Sequence, residues 1–305
     1  MPFRPPKPSP GPQSHLTSPT RRIQKSIRSR VPEGGWTNAD LGTENGRLLI
    51  EDMRMSHIGA VSMALSSLVP RLKDSFVANM EQVLIEFDRE YFNFVGRRKS
   101  NSDDPYDIPL EPSVHESLWR RAIDRTLGEH GVALESLLTN SIRSVLTVVH
   151  STTLGLLGRE PRPDAPSRLS GRVRQLATTA AGIAQTTRNR LLSFVNRAVN
   201  TDGLGIGDTV RRLRDSIDSI ATGRIPTIAR TELGRAADTG RKEALLESGV
   251  VLQVSVVGCQ AREEGSPQYR GESTCNIQNV PIEDSFDLEF HPNHTGVIVP
   301  SLFSR

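Results

Sequence analysis

Four side chains towards the C-terminal end of the chain are of types that bind a transition metal: Cys259, Cys275, His291 and His294. Two thiolates and two imidazoles make a chemically suitable tetrahedral zinc set. The spacing argues the other way. The cysteines are far apart, no close Cys-x-x-Cys exists, and His-x-x-His is tight for ligation across a turn containing Pro292. The favoured reading makes the cysteines small buried apolar groups and gives His291 a hydrogen bond in a turn, so no cofactor is expected. Two cysteines in a chain of 305 residues form no disulfide framework, and a reducing compartment is the default.

A second chemical candidate is Glu232, within "RIPTIARTELGRAADTGRKEALLESGV", residues 224–250. Ile225, Ile228, Ala229, Leu233, Ala236, Ala237, Gly240 and Ala244 form one apolar helical face of mostly small residues, against which a neighbouring backbone can pack closely. Glu232 projects from that same face. A buried carboxylate needs a cation or donors, and Arg230 is the expected partner, with Arg235 and Arg224 also in reach. As a catalytic acid it would want a second carboxylate or a histidine at helical spacing, and none is there. The structural ion pair is therefore preferred. "GLGIG", 203–207, resembles a phosphate loop only superficially, since it lacks the G-x-G-x-x-G spacing, the Walker lysine and a preceding strand. It reads as a turn before a helix capped at Asp208. The other histidines (15, 57, 115, 130 and 150) are scattered, and no Ser/His/Asp or Cys/His arrangement emerges.

The third chemistry is phosphate contact. Net charge is only +3 and the pI about 9.1, a weak global signal for nucleic acid. The charge is unevenly placed. Arg4, Lys7, Arg21, Arg22, Lys25, Arg28 and Arg30 all precede the first acidic residue, Glu33. Proline density and low hydrophobicity make residues 1–35 a disordered basic arm. It is either a solvated tail or an arm that orders on an acidic partner, with Arg21, Arg22, Lys25, Arg28 and Arg30 as the DNA-contact residues. Arg97, Arg98, Lys99 and Arg211, Arg212, Arg214 are further basic clusters, preferably read as solvated faces. The few aromatics do not interleave with basic runs, which counts against a dedicated nucleic-acid module.

Long helices must position these groups. Over 36–100 the apolar residues predict two helices. The first carries Leu48, Leu49, Met53, His57, Ala60, Ala64 and Leu68; Pro70 kinks or breaks it; the second carries Leu72, Phe76, Met80, Val83, Leu84, Phe87, Phe92 and Val95. Residues 96–112 read as a loop. Ser113 and Glu116 make a capping-box pattern, and after "GEHG" a stripe runs through Leu134, Leu138, Ile142, Val145, Val149 and Leu156. "REPRPDAP", 159–166, breaks it. Leu169, Val173, Leu176, Ala180, Ile183, Thr187, Leu191, Phe194 and Ala198 then form a heptad-like seam for packing within the chain. A short amphipathic helix ends at a glycine stop, and the 224–250 helix begins with Pro226 in its first turn and stops at Gly249. "VVLQVSVVG" and "GVIVP" are strands. The fold class is mainly α: a helical domain over 36–200 and a small α+β domain over 201–305. No run is expected to span a bilayer, and no secretory signal is read, so no membrane partner is expected.

The order of glycine turn, amphipathic helix, "IARTELGRAADTGRKEALLESGV", β-run, Cys-bearing loop and "HPNHTGVIVPS" resembles the C-terminal domain of the minor head proteins of tailed phages, the MuF-like head-morphogenesis family. Ile228-Ala229-Arg230-Thr231-Glu232, the Gly240 and Gly249 spacing, the strand at 250–257 and His291-Pro292-Asn293 carry the resemblance, over roughly residues 203–300. It implies a virion protein and not an enzyme: a minor capsid protein inside the head, associated with the portal vertex and acting in capsid assembly, DNA packaging or ejection. The implied partners are the portal protein, capsid or scaffold proteins and packaged double-stranded DNA; the implied location is the virion, and the host cytoplasm during assembly. Family members carry a Cys-x-x-Cys pair and end the domain in a His-Pro-Asn-Cys type segment. Here Cys275-Asn276-Ile277-Gln278 lacks the second cysteine, and His294 stands where the family has Cys. Two alternatives are a non-specific DNA-binding protein of the head and a toxin or effector enzyme.

Overall fold

The computed structural model describes residues 36, 40–96, 106, 110–251, 253–257, 278–287 and 296–301. The basic arm with Arg21, Arg22, Lys25, Arg28 and Arg30, the Arg97–Lys99 cluster, and Cys259, Cys275, His291 and His294 lie outside the described residues.

Four helices form the body: α1 Glu44–Val95, α2 Pro112–Leu156, α3 Ala165–Asn196 and α4 Ile206–Ser248. A three-stranded antiparallel sheet follows, with β1 Gln253–Val257 between β2 Val280–Pro281 and β3 Val297–Pro300. The mainly α architecture with a small sheet near the C-terminal end is as the sequence predicts; β2 is an addition to it.

Three expected breaks are absent. Helix α1 runs through Pro70, which is exposed, so the carbonyl that loses its N–H partner faces water while Leu68 and Leu72 are held in the core. Helix α2 continues through the "GEHG" segment. Helix α4 is continuous through Gly223 and Pro226, because Ile217, Ala221, Ile225 and Ala229 extend one buried stripe across the proline. Packing of a whole face outweighs one lost hydrogen bond. Two expected caps also move. Helix α2 starts at Pro112 with Glu111 as its N-cap, and Glu116 bonds Arg120 at 2.9 Å and the Asn200 amide at 3.2 Å. Helix α4 starts after Gly205, leaving Asp208 in the first turn beside Arg211 at 3.0 Å. Gly249 does close α4, with φ 66° and its N–H on the Leu246 carbonyl.

One apolar cluster fills the helical body. Phe87 of α1 stacks on Trp119 of α2 at 3.8 Å between ring centroids, and Leu138, Ile142, Val145 and Val149 continue it. On the seam of α3, Leu169, Val173, Thr187 and Leu191 are buried, as is Ala198 just beyond. A second cluster joins Leu49 and Met53 of α1, Leu156 and Leu157, Leu245 of α4 and Val254, Val256 and Ile298 of the sheet, together with Trp36 and Leu41. Helix α4 contributes to both clusters, so the expected boundary at 200/201 separates α4 from helices with which it shares a core. By length and composition α2 is apolar enough to cross a membrane, which corrects the expectation that no such run exists; core helices of water-soluble bundles meet the same criterion.

Candidate functional site

The last turns of α4 lie between the helical body and the sheet, and are therefore covered on several sides. Asp238, Arg241, Lys242, Glu243 and Glu247 are all buried there. Charges at this depth must be neutralised or hydrogen-bonded, and their partners form two groups.

The first group secures the sheet. Ile298 is opposite Val256 in the β1–β3 pairing, and its N–H and C=O both point away from β1, towards α4. The Ile298 N–H donates to Asp238 Oδ1 at 3.5 Å, and Arg241 Nη1 donates to the Ile298 carbonyl at 3.1 Å. Two side chains thus occupy the positions a further strand would fill and close the outer edge of β3. The other arm of Arg241 donates to the Met53 carbonyl of α1. His57 Nδ1 of α1 is 3.8 Å from Asp238 Oδ1. Burial pushes the Asp238 carboxyl up to about 7, against the pull of Lys242, Arg241 and the Ile298 amide. Burial likewise lowers Arg241 to about 10, opposed by Asp238. Lys242 donates to the Ser285 carbonyl at 2.5 Å. Its ammonium lies 5.4 Å from the centre of the Phe286 ring, with the Arg172 guanidinium at 4.4 Å.

The second group ties the body helices together. Glu243 accepts from Arg172 Nε at 2.6 Å and Arg168 Nη1 at 3.2 Å. Glu247 accepts from the Arg162 backbone N–H at 2.5 Å, contacts His150 Nε2 at 3.1 Å and pairs with Arg168. Burial alone would raise the Glu247 carboxyl; the Arg162 amide, His150 and Arg168 outweigh it and hold it below the usual range. Arg162 also donates to the Glu247 carbonyl at 3.2 Å, capping the end of α4.

Glu232 is buried, as its position on the apolar face predicts, but its guanidinium is that of Arg235, 3.2 Å away and one turn on. The expected partner Arg230 is exposed. Residues two apart lie on nearly opposite sides of a helix, whereas i and i+3 are neighbours. Glu232 Oε2 has no hydrogen-bond partner, and burial raises its carboxyl, with Arg235 opposing. Of the basic cluster on α4, Arg211 pairs with Asp208 and Arg212 with Asp202 at 2.6 Å.

His57–Asp238 and His150–Glu247 have the composition of acid–base pairs, but all four residues are buried, and the carboxylates also face backbone amides and cationic side chains. Among the described residues no group of three His, Cys, Asp or Glu is placed to hold a metal ion. This charged junction is not legible in the sequence: only a helix known to be covered on several sides would mark Asp238, Arg241 and Glu247 as buried. The small face was legible. A Cβ on Gly240 would lie 2.4 Å from the Leu146 carbonyl oxygen, the close backbone approach that the run of small residues predicts.

Comparison of the chain with protein-family models, with characterised proteins and with solved structures returned no match.

Proposed function

We propose that this chain is a structural virion component: a minor head protein of a tailed phage, located at the portal vertex and acting in head morphogenesis and in DNA packaging or ejection. The observation that carries the reading is the ordered series of Ile228-Ala229-Arg230-Thr231-Glu232, the Gly249 stop and the strands at 253–257 and 297–300, which resembles the MuF-like terminal domain. The bonding of this region supports an architectural role. Arg241, Lys242, Glu243 and Glu247 are bonded to main-chain groups or to arginines of neighbouring elements, as expected of a part that must stay assembled under load. The helical body would dock on the portal or inner capsid, and the basic arm would meet packaged DNA through phosphate charge without base recognition.

Co-expression with the portal protein encoded beside it, followed by size exclusion with light scattering at two salt concentrations, tests this reading. A stable complex with few copies per portal ring is expected. No association at either salt, with nucleic acid retained instead, would favour a DNA-binding protein of the head. An enzymatic activity lost on Glu232→Ala with folding intact would favour the effector reading.

A further inference from the structure

The contact between β3 and the helical body has an unusual chemistry. The outer edge of an antiparallel strand is held by one buried carboxylate and one buried guanidinium, not by another strand. Both belong to α4, and the guanidinium reaches on to α1. Three separate elements therefore meet at Asp238 and Arg241 (2% and 0% exposed). The Asp238 carboxylate is poorly compensated for so deep a position. Its bond from the Ile298 amide is long, at 3.5 Å, and His57 stands at 3.8 Å. Arg241 gives hydrogen bonds to the carbonyls of Met53 and Ile298, and Lys242 gives one to the Ser285 carbonyl. Among the described residues, the charged and titratable groups that face Asp238 are His57 from α1 and Arg241 and Lys242 from its own helix. From β3 it receives only the Ile298 main-chain N–H, and among the described contacts α2 presents no titratable group to it.

We infer that Asp238 and Arg241 form a proton-sensitive latch, which holds the terminal sheet tightly on α1 and α4 when Asp238 is protonated and loosens it when Asp238 is ionised. The sign follows from linkage. When β3 lifts away, water reaches Asp238 and its carboxyl returns to an ordinary carboxylate pKa. In the closed state the burial of Asp238 favours the protonated form. Rising pH therefore draws a proton out of the closed state that the open state has already lost, and the equilibrium moves towards opening. Protonation also suits the geometry: a neutral carboxyl still accepts from the Ile298 amide with its carbonyl oxygen, without the cost of a buried, weakly paired charge. Nothing in this device depends on which partner the protein serves.

Amide hydrogen exchange of the full-length chain, followed residue by residue by NMR and corrected for the intrinsic pH dependence of exchange, tests the latch. With the carboxyl moving between 3.8 in the open state and about 7 in the closed one, the opening constant reported by the Ile298 amide should rise about 50-fold from pH 5 to pH 7 and less than about two-fold from pH 7 to pH 8. Amides within residues 140–150 of α2 serve as the reference. Asp238→Asn should remove the dependence, and His57→Gln should retain it. A carbon-13 titration of the wild-type Asp238 carboxyl needs no variant and should show a midpoint near 7. A midpoint near 4, an Ile298 amide whose opening is flat with pH, or a dependence that survives Asp238→Asn and disappears with His57→Gln would each overturn the proposal.

Discussion

Gly240 of α4 faces the carbonyl oxygen of Leu146 on α2, so closely that a methyl group on its Cα would sit 2.4 Å from that oxygen. The two backbones approach because Ala236, Ala237 and Ala244 on the same face are also small and fully buried. Gly240→Ala must push the helices apart, and the gain in helix propensity, roughly 1 kcal/mol, does not offset the loss of packing. The expected outcome is a destabilisation of about 2–3 kcal/mol, read as a lowered midpoint in urea with an unchanged slope. A more stable variant would show that the helices can separate freely at this level.

His115 lies against Phe87, and its Nε2 accepts from Trp119 Nε1 at 3.1 Å, a bond that only the neutral ring can receive. Burial depresses the imidazole to about 4. A folded-state value below the ordinary 6.5 means that its contribution is complete above 6.5 and is lost as pH falls through the window down to about 4. After discounting for solvent screening the loss is about 2 kcal/mol. Asp238 has the opposite sign over an overlapping range, so the quantity to measure is the difference in unfolding free energy between wild type and His115→Gln. That difference should shrink between pH 6.5 and pH 4 as the wild-type advantage is lost.

Glu247 receives Arg168, His150 and the Arg162 amide together. Glu247→Ala leaves His150 and the Arg162 amide without their acceptor beneath packed helices, and leaves Arg168 with Glu243 and Asp164 alone. A cost of about 3–5 kcal/mol is expected by thermal or chemical unfolding. Because the Glu247 carboxyl is held below its usual range, its contribution is present above 4.5 and declines as pH drops below that value.

Glu232 behaves differently, because one of its oxygens has no partner and burial disfavours its charge. Glu232→Gln retains the shape and removes the charge. It should leave stability at neutral pH unchanged or raise it by up to about 1 kcal/mol. A loss above about 2 kcal/mol in a calorimetric comparison would show that the Arg235 pair contributes more than its geometry suggests.

Pro226 lies inside α4 and cannot donate to the carbonyl one turn back. Pro226→Ala restores that bond, while the unfolded chain gains entropy that offsets part of the benefit. A net rise in melting temperature of a few degrees is expected, equivalent to about 1–2 kcal/mol.

What the sequence discloses and what it hides follow from range. Apolar residues at steps of three and four mark the buried stripes of α2 and α3 directly, because the stripe is a local periodicity of the helix itself. Gly249 is legible because its left-handed backbone is a local demand. Pro70, Gly223 and Pro226 mislead for the complementary reason: their local penalty is real but smaller than the burial gained by continuing Leu68 to Leu72, or Ile217 to Ala229, along one face. The charged junction is hidden because Asp238 and Arg241 look like an exposed turn of an amphipathic helix until β3 and α1 are known to cover them. Glu232 falls between. Its burial is legible from the face it occupies, and its partner is missed by the choice of Arg230 over the geometrically favoured i+3 position.

Arg241 bonds a carbonyl 188 positions before it and another 57 positions after it. On a growing chain this imposes an order of events. The hairpin of α1 and α2 can pack soon after it emerges, with Phe87 against Trp119, but the cluster of Leu49 and Met53 with Trp36, Leu41, Leu156 and Leu157 is completed only by Leu245 of α4 and by the sheet. Arg241 closes on Met53 next, and half of its guanidinium stays unsatisfied until β3 arrives. The sheet is therefore the stopper of this cluster: its interior is sealed from water only when β3 has been made.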